Sequence, residues 1–383
     1  MITRRSFLGG LSAAFVALPA LSRTALGAPA ATTLPLSVVN STGRYANNAI
    51  WVYIVGTDLA TGNQAYSRGD GVLTPIASSD NGPDGYTDYS IPLQGSGTTA
   101  LSLPNMSGRI YFAIGEKLKF KVVVAGDGRP GLQYPAGWVS TDPNYNILHD
   151  FVEFTFNASG MFCNTTMVDQ FSLPLAIQLD GAQSQSTGNV TAGGRDRIFS
   201  AIAAEPEFAR LAVGDKLRVI APGHGIEAGL FSSTYYDSYI NDVWNQYAGT
   251  NLTVKIDATT YTGRVSGGSL VFDGGVRSFA KPSTLDVFYC NGALSAGAAP
   301  SGPVAAILGA AFNRSTLRDY ASQPTTNAST FYQQSVTNHY SRILHANTSN
   351  GKAYGFPFDD VADFAAYIQD GAPRTATVTL AAF

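Results

Sequence analysis

Alternation of apolar and polar residues dominates the first half of the chain. Segments that alternate, or that run β-branched and aromatic, are separated by clusters of Gly, Pro, Asp and Asn. This is the pattern of short strands joined by turns. The clearest segments are AIWVYIVG at 49–56, GRIYFAIG at 108–115, KLKFKVVVAG at 117–126 and FVEFTFN at 151–157. Residues 34–179 are therefore predicted to be mainly β.

Helical spacing of apolar residues takes over after residue 189. It occurs in GRDRIFSAIAAEPEFARLAV (194–213), SSTYYDSYINDVWNQYAG (232–249), GPVAAILGAAFNRSTL (302–317) and STFYQQSVTNHYSRILHA (329–346). The strand-like segments LTVKIDA and LDVFYC lie between these helices, and TATVTLAA ends the chain. We therefore predict a mainly β protein with an α/β insertion. Residues 31–188 plus 349–383 form a β-barrel or sandwich domain, residues 189–348 form a mixed α/β domain, and a groove separates them.

The first thirty residues predict an export signal. Arg4 and Arg5 precede a short apolar run that is too short and too rich in Gly, Ala and Ser to span a membrane. Small residues around Ala28 and Ala30 suit cleavage after Ala30, with a site near Gly27 as the alternative; an ordinary buried helix is the alternative interpretation of the whole segment. Twin arginines indicate a bacterial protein exported after folding, so we expect a secreted or periplasmic enzyme or binder. Loss of residues 1–30 removes three arginines and changes the net charge to −3 − 3 = −6.

Composition narrows the classes of partner. Hydrophobic residues make up 45% of the 383 residues, which is ample for a folded core. Charged residues make up only 13%, and no basic cluster follows the N-terminus, so nucleic acid is excluded, whereas a neutral polysaccharide fits. The four histidines are scattered without zinc-ligand spacing. The two cysteines, Cys163 and Cys290, could pair in an oxidising compartment or stay free.

The segment FVEFTFN carries the candidate chemistry. Side chains alternate between the faces of a strand, so the apolar residues at 152, 154 and 156 share one face. Glu153, Thr155 and Asn157 share the other, a row of carboxylate, hydroxyl and amide suited to sugar hydroxyls. NASGM then provides a turn, and the returning segment CNTTMVDQF brings Asp169 near Glu153 if it forms a hairpin. The pattern alone leaves two interpretations open, a catalytic carboxylate pair or two acids on a solvated strand face.

Longer motifs resemble a known family. DPNYNILHDFVEFTFN…GMFCNTTMVDQFSLPL, SGRIYFAIGEKLKF, AAFNRSTL, TNHYSRILH and YGFPFDDV occur in this order along the chain. They resemble glycoside hydrolase family 64, the β-1,3-glucanases of laminaripentaose-producing type with a thaumatin-like barrel. The resemblance implies an endo-acting enzyme that cleaves β-1,3-glucan with inversion and releases laminari-oligosaccharides. The alternative is a non-catalytic thaumatin-like protein that binds β-1,3-glucan.

The resemblance also implies roles for individual residues. Glu153 corresponds to the general acid and Asp169 to the general base. The implied sugar contacts are Thr155, Asn157 and Thr166, with Phe162 in place of a tryptophan often found after the hairpin turn. Inversion requires the two carboxyl groups to lie about 6.5–9.5 Å apart. We expect flanking phenylalanines to keep Glu153 protonated by partial desolvation, and we expect Asp169 to lie in a wetter, hydrogen-bonded setting.

Three further residues are candidate sugar contacts. Asp359 and Asp360 in FPFDDV either line the same groove or are turn acids, and Tyr145 in DPNYN either binds sugar or belongs to a turn. The expected substrate is laminarin, curdlan or fungal wall glucan. We expect no organic cofactor, no metal, no nucleic acid and no membrane contact in the mature form, and we expect a monomer.

Overall fold

A computed structural model describes residues 32–383, which form two compact units. Unit 1 contains the described residues up to Asn164, together with Leu175–Ser186 and Ile368–Ala382. Unit 2 contains Thr165–Pro174, Thr187–Tyr367 and Phe383. The predicted export signal at 1–30 lies outside the described residues.

Strands up to residue 187 are short, as the turn-rich sequence predicts. They are β1 (Thr33–Asn40), β2 (Ile50–Thr57), β3 (Gln64–Ser67), β4 (Thr74–Pro75), β5 (Ile91–Pro92), β6 (Thr99–Pro104), β7 (Met106–Ile114), β8 (Lys121–Val124), β9 (Pro130–Gln133), β10 (Leu148–Asn157), β11 (Gly160–Asn164), β12 (Gln170–Phe171), β13 (Leu175–Asp180) and β14 (Ser184–Thr187).

Helices and further strands follow. The helices are α1 (Gly194–Ala204), α2 (Pro222–Glu227), α3 (Asp237–Gly249), α4 (Thr284–Tyr289), α5 (Ser301–Asn313) and α6 (His339–Ala346). The strands are β15 (Ala212–Val213), β16 (Arg218–Ile220), β17 (Leu252–Ile256), β18 (Thr259–Ser266), β19 (Ser269–Phe272), β20 (Phe279–Ala280), β21 (Ser322–Gln323), β22 (Tyr367–Asp370) and β23 (Thr375–Leu380). The prediction of a mainly β protein with added helices is confirmed, but the prediction of the segment LDVFYC as a strand is wrong, because it forms most of helix α4.

Unit 1 is built from two sheets and a hairpin. One sheet has the strand order β14-β13-β23-β1-β6, and the other runs β22-β11-β10-β7-β2-β3-β4 with β5 on β2. Strand β23 near the C-terminus pairs in parallel with β1, so both ends of the described chain belong to one sheet. Strands β8 and β9 form the separate hairpin.

Strand β10 lies inside the larger sheet, between β7 and β11. Val152, Phe154 and Phe156 are buried on one face, while Glu153, Thr155 and Asn157 are partly exposed on the other. The alternation predicted from FVEFTFN is therefore confirmed. The face that carries Glu153 becomes apolar toward the start of the strand, where Phe151 joins a core of aromatic and aliphatic side chains from β2, β7, β8 and β9.

A tight turn joins β10 to β11. The Asn157 side-chain carbonyl accepts a hydrogen bond from the Ser159 amide at 2.7 Å, which is the local bond that favours Asn at a turn. Gly160 has φ +126°, and a Cβ there would lie 2.1 Å from the carbonyl oxygen of Asp370 on β22. Glycine is therefore required for the chain to reverse beside β22. The predicted hairpin is confirmed as far as Asn164, where β11 ends.

Unit 2 combines a five-stranded sheet, in the order β20-β19-β18-β17-β21, with the helices. Helix α3 packs on β18. Helix α5 is buried almost all round, in agreement with its nearly uniform apolar sequence. Among residues 32–383 we find no helix with the length and apolar character that a membrane crossing requires.

The segment Thr165–Pro174 belongs to unit 2, although the sequence analysis placed it in the barrel domain with Glu153. The Met167 amide donates to the Tyr354 carbonyl at 2.8 Å, and the Tyr340 hydroxyl donates to the Met167 carbonyl at 2.7 Å. Strand β12 then pairs with β16. Residues 349–367 also belong to unit 2. Hydrogen bonds within unit 2 therefore hold the segment that contains Asp169.

Candidate active site

Glu153 is held by an arginine on the neighbouring strand. Arg109 on β7 lies directly opposite Glu153 in the register of the sheet. Its Nε and Nη2 atoms lie 3.1 and 3.0 Å from Glu153 Oε1. On the other side, Asn164 on β11 is also directly opposite, and its Nδ2 lies 3.5 Å from Oε2. Both arginine contacts therefore use one carboxylate oxygen, and the second oxygen has a weak contact from Asn164.

The Arg109 guanidinium is itself fixed by two aromatic residues. It lies over the ring of Phe151 at 4.1 Å from the centroid, and its Nη1 donates to the Tyr111 hydroxyl at 3.2 Å. Sequence analysis missed Arg109. The available signal was a basic residue at an alternate position of GRIYFAIG, but only strand pairing 44 residues apart reveals its partner.

The expectation that Phe154 and Phe156 flank the Glu153 carboxylate is wrong. Both rings point to the opposite, buried face of the sheet. The third phenylalanine, Phe151, shares the face of Glu153 and contacts Arg109. An arginine, rather than a set of phenylalanines, is the main neighbour of the Glu153 carboxylate.

Thr155 and Phe162 form the next row along the same face. They are directly opposite one another, and Ser107 is opposite Thr155 on the other side. The hydroxyls of Ser107 and Thr155 lie 2.8 Å apart. All three side chains are partly exposed. The row therefore presents paired hydroxyls and a flat ring one step from Glu153.

Asp169 lies in unit 2, one residue before β12. Its backbone carbonyl accepts from the Ala221 amide at 3.0 Å, and Ala221 precedes helix α2. On that helix, His224 Nε2 lies 3.0 Å from Asp169 Oδ1. The expected hydrogen-bonded setting of Asp169 is therefore confirmed, but its side chain is no wetter than that of Glu153, at 20% against 19% exposed.

His224 connects Asp169 to two further groups. Its Nδ1 lies 3.2 Å from Glu227 Oε2 and 2.9 Å from the Tyr289 hydroxyl, and that hydroxyl donates to Glu227 Oε2 at 2.8 Å. Burial lowers the pKa of His224, but the hydrogen bonds and charges of Asp169 and Glu227 outweigh it and raise the pKa to about 9. The hydrogen bond from His224 in turn lowers the pKa of Glu227. This group was missed because four scattered histidines gave no signal in the sequence.

The prediction that Asp359 contacts sugar is wrong. It is completely buried in unit 2, where its carboxylate binds Arg314 at 3.1 Å and His345 at 2.9 Å, with the Gly355 amide at 3.0 Å. Burial alone would raise its pKa, but the interactions with His345, Arg314 and the Gly355 amide outweigh burial and hold the pKa below the usual range. A carboxylate enclosed in this way cannot reach a polysaccharide.

The other predicted contacts differ in exposure. Thr166 is only 6% exposed, and its hydroxyl accepts from the Val168 amide at 3.4 Å in the turn before Asp169. Asp360 is exposed on unit 2. Tyr145 is partly exposed in a turn of unit 1, where its amide donates to the Asp142 carbonyl at 3.0 Å.

The two cysteines are free. Cys163 is buried in unit 1 and Cys290 is buried in unit 2. Burial raises the pKa of the Cys163 thiol to about 12. The possibility of a disulfide between them is therefore not realised in this structure.

The chain is similar in sequence to known β-1,3-glucanases. The sequence profile of glycoside hydrolase family 64, described as beta-1,3-glucanase, matches residues 32–380. A glucan endo-1,3-beta-glucosidase of Cellulosimicrobium cellulans is 33% identical over 384 residues, covering 96% of this chain and 68% of that protein. One of Arthrobacter sp. (strain YCWD3) matches equally well.

Two solved structures are also similar. A laminaripentaose-producing beta-1,3-glucanase in complex with laminaritetraose has a TM-score of 0.85 and 39% identity, covering 92% of this chain and 99% of that one. A beta-1,3-glucanase domain from Clostridium beijerinckii has a TM-score of 0.81 and 30% identity, covering 93% of this chain and 100% of that one. The likeness therefore extends across nearly all described residues.

Proposed function

The chain belongs to glycoside hydrolase family 64, the β-1,3-glucanases, and we propose that it cleaves internal β-1,3 bonds with inversion, using Glu153 as acid and Asp169 as base. One observation carries the proposal. Both carboxylates that match the acidic pair of the family are partly exposed, at 19% and 20%, and each is oriented by a cationic side chain. A glucan-binding protein without turnover has no use for two carboxylates oriented in this way.

The proposed step is a single displacement. Glu153 gives its proton to the glycosidic oxygen as the bond from that oxygen to the anomeric carbon breaks. Asp169 takes a proton from a water molecule whose oxygen bonds to the anomeric carbon from the opposite face, so the configuration inverts. Nε and Nη2 of Arg109 both bind Glu153 Oε1, so in the proposed step the proton is carried by Oε2.

The polar row beside Glu153 suits a glucan chain. Thr155 and Asn157 provide hydroxyl and amide groups, and Phe162 provides a flat ring for a pyranose face. The ring lacks an indole N–H, so it stacks without donating a hydrogen bond. We propose laminarin, curdlan or fungal wall glucan as substrate, with laminari-oligosaccharides as products.

Unit 1 is proposed to be the thaumatin-like barrel of the family, and the mature protein is proposed to be an exported monomer. The twin arginines and the cleavage motif at residues 4–30 support export. N-terminal sequencing of protein recovered outside the cytoplasm tests the cleavage after Ala30. Light scattering tests the monomer.

Product stereochemistry tests the mechanism. Purified protein is mixed with laminarin, reducing ends are counted, and the anomeric proton of the first product is followed by NMR. We expect the α-anomer to appear first and to mutarotate later. The β-anomer appearing first would exclude inversion, and glucan binding without new reducing ends would exclude the enzyme.

A further inference from the structure

Three side chains form a continuous hydrogen-bonded chain behind Asp169. His224 bridges Asp169 Oδ1 at 3.0 Å and Glu227 Oε2 at 3.2 Å, and Tyr289 donates to the same glutamate oxygen at 2.8 Å. All four residues belong to unit 2. They come from the segment before β12, from α2 and from α4, so tertiary packing brings them together.

Two glycines beside His224 allow the close packing that surrounds the imidazole ring. A Cβ on Gly223 would lie 2.6 Å from the Tyr289 ring, and a Cβ on Gly225 would lie 2.3 Å from Leu211. Both glycines therefore let α2 approach its neighbours closely. The Ala221 amide bonds the Asp169 carbonyl at 3.0 Å, so backbone and side chain of Asp169 are both tied to α2.

Two acids and a phenol of unit 2 face His224. Asp169 faces it from the segment before β12, Glu227 from its own helix and Tyr289 from α4, with the tyrosine ring edge-on at 5.4 Å between centroids. The His224 side chain is only 12% exposed. An imidazolium placed between two carboxylates donates from both nitrogens and is stabilised by both charges.

A base in an inverting enzyme must stay ionised and must keep a fixed orientation toward its water. A charged imidazole held in one orientation meets both requirements. Its charge favours the ionised form of the Asp169 carboxylate, and its hydrogen bond restricts rotation of that carboxylate. The pKa of His224, raised to about 9, keeps that donor charged at neutral pH.

We infer that His224, clamped between Asp169 and the Glu227–Tyr289 pair, is the positioning residue that keeps the base ionised and oriented. The inference rests on the proposed function, in which Asp169 is the base. Loss of the His224 proton removes a positive charge from beside Asp169, so kcat falls on the alkaline side. Glu227 and Tyr289 hold the outer ring nitrogen and set where that fall occurs.

Kinetics on laminarin test this. His224→Ala should lower kcat roughly 10- to 100-fold with little change in KM, because a misplaced catalytic group costs about that much. His224→Gln keeps a neutral donor and should recover part of kcat while losing the alkaline fall near pH 9. Tyr289→Phe should move that fall without abolishing activity. His339→Ala is the matched control, since His339 lies beside Glu205 in the same unit, and should keep wild-type kcat.

NMR of the histidine ring gives a readout independent of turnover. The His224 ring should titrate near pH 9 in the wild type and lower in Asp169→Asn, which removes one of its two carboxylates. Thermal unfolding confirms that each variant is folded.

The outcomes separate the two claims. Asp169→Asn with wild-type turnover would overturn both the base assignment and the inference. An inactive Asp169→Asn together with a His224→Ala variant of wild-type kcat and pH profile would overturn the inference alone. In the Asp169→Asn background, His224→Ala should cause no further loss of kcat; a full additional loss would assign His224 a role that does not act through Asp169.

Discussion

Glu153 and Asp169 occupy two regions that differ in the chemistry of the partner rather than in exposure. Glu153 is paired with a guanidinium that rests on a phenylalanine ring, within a β-sheet. Asp169 is paired with an imidazole at the start of a short helix, and that imidazole has a second carboxylate behind it. The two acids are exposed to nearly the same extent. Burial alone therefore does not distinguish the proposed proton donor from the proposed base.

The difference lies in how each partner responds to pH. Arginine keeps its charge at any pH a protein survives, so the Glu153 region has a constant electrostatic environment. Histidine can lose its proton, so the Asp169 region changes at the alkaline end. A variant that exchanges or removes one partner should therefore show which region limits the rate at each pH.

The largest effect is expected from removing either carboxylate. Glu153→Gln and Asp169→Asn should each lower kcat by about 10²- to 10⁴-fold, the range typical of a general acid or base, with laminari-oligosaccharide affinity retained. Initial rates and calorimetric binding check this. If only one variant loses activity, the two regions do not act as an acid–base pair.

A third acid provides a contrast with both. Asp359→Ala should destabilise the protein by about 3–5 kcal/mol, because it leaves the Arg314 guanidinium, 2% exposed, without its buried partner. Urea unfolding measures this, with exposed Asp360→Ala as the matched control expected within about 0.5 kcal/mol of wild type. Rates per folded molecule should be unchanged for Asp359→Ala, and a selective loss of kcat would restore Asp359 as a site residue.

His224 should make stability depend on pH. Its pKa rises from 6.5 to about 9 on folding, so the folded state binds the proton more tightly. The stabilisation is fully present below pH 6.5 and is lost as the pH rises through 9, by at most about 3 kcal/mol. Urea unfolding at pH 6, 7.5 and 9.5 should show this loss in wild type and not in His224→Gln, with Asp169→Asn intermediate. Parallel curves for wild type and His224→Gln would contradict it.

Substitution of Arg109 is expected to have the smallest effect. It tests whether the electrostatic environment of Glu153 stays the same at every pH. Arg109→Met should lower kcat by roughly 10-fold at every pH, since Glu153 loses its orientation but no titrating partner. Arg109→Lys should recover little, because an ammonium cannot place two donors on Oε1 as the guanidinium does. Arg44→Met, which removes an exposed guanidinium near the ring of Tyr45, should leave kcat unchanged. A new pH dependence in Arg109→Met would contradict the comparison.

The local pattern of apolar and polar residues predicted much of the secondary structure correctly. Strands predicted at 49–56, 108–115 and 151–157 occur as β2, β7 and β10 within a few residues. The predicted helix at 194–213 stops at Ala204, just before Glu205 and Pro206, because proline cannot continue a helix. The predicted helix at 329–346 begins only at His339, where the Asn338 side chain caps the Ser341 amide at 3.0 Å.

The partners of the site residues depend on contacts between distant parts of the chain, which the local pattern does not reveal. Glu153 and Asp169 stand out because acids are scarce in that stretch, but Arg109 and His224 lie 44 and 55 residues from their partners. Nothing local distinguishes Arg109 from other strand arginines. Nothing local distinguished Asp359 from a surface acid either, since its burial depends on Arg314 and His345.

The passage of the chain from unit 1 to unit 2 at Thr165, immediately after the strand that faces Glu153, has a consequence for engineering. Excising residues 31–188 with 349–383 as a minimal catalyst would take Asp169 away from α2, β16 and Tyr340, the elements that hold it. Such a truncated protein would retain Glu153, the proposed acid, on its sheet and would lose the elements that hold Asp169, the proposed base. Modular shuffling of this enzyme therefore has to exchange both units together, or graft α2 and its neighbours along with the segment they support.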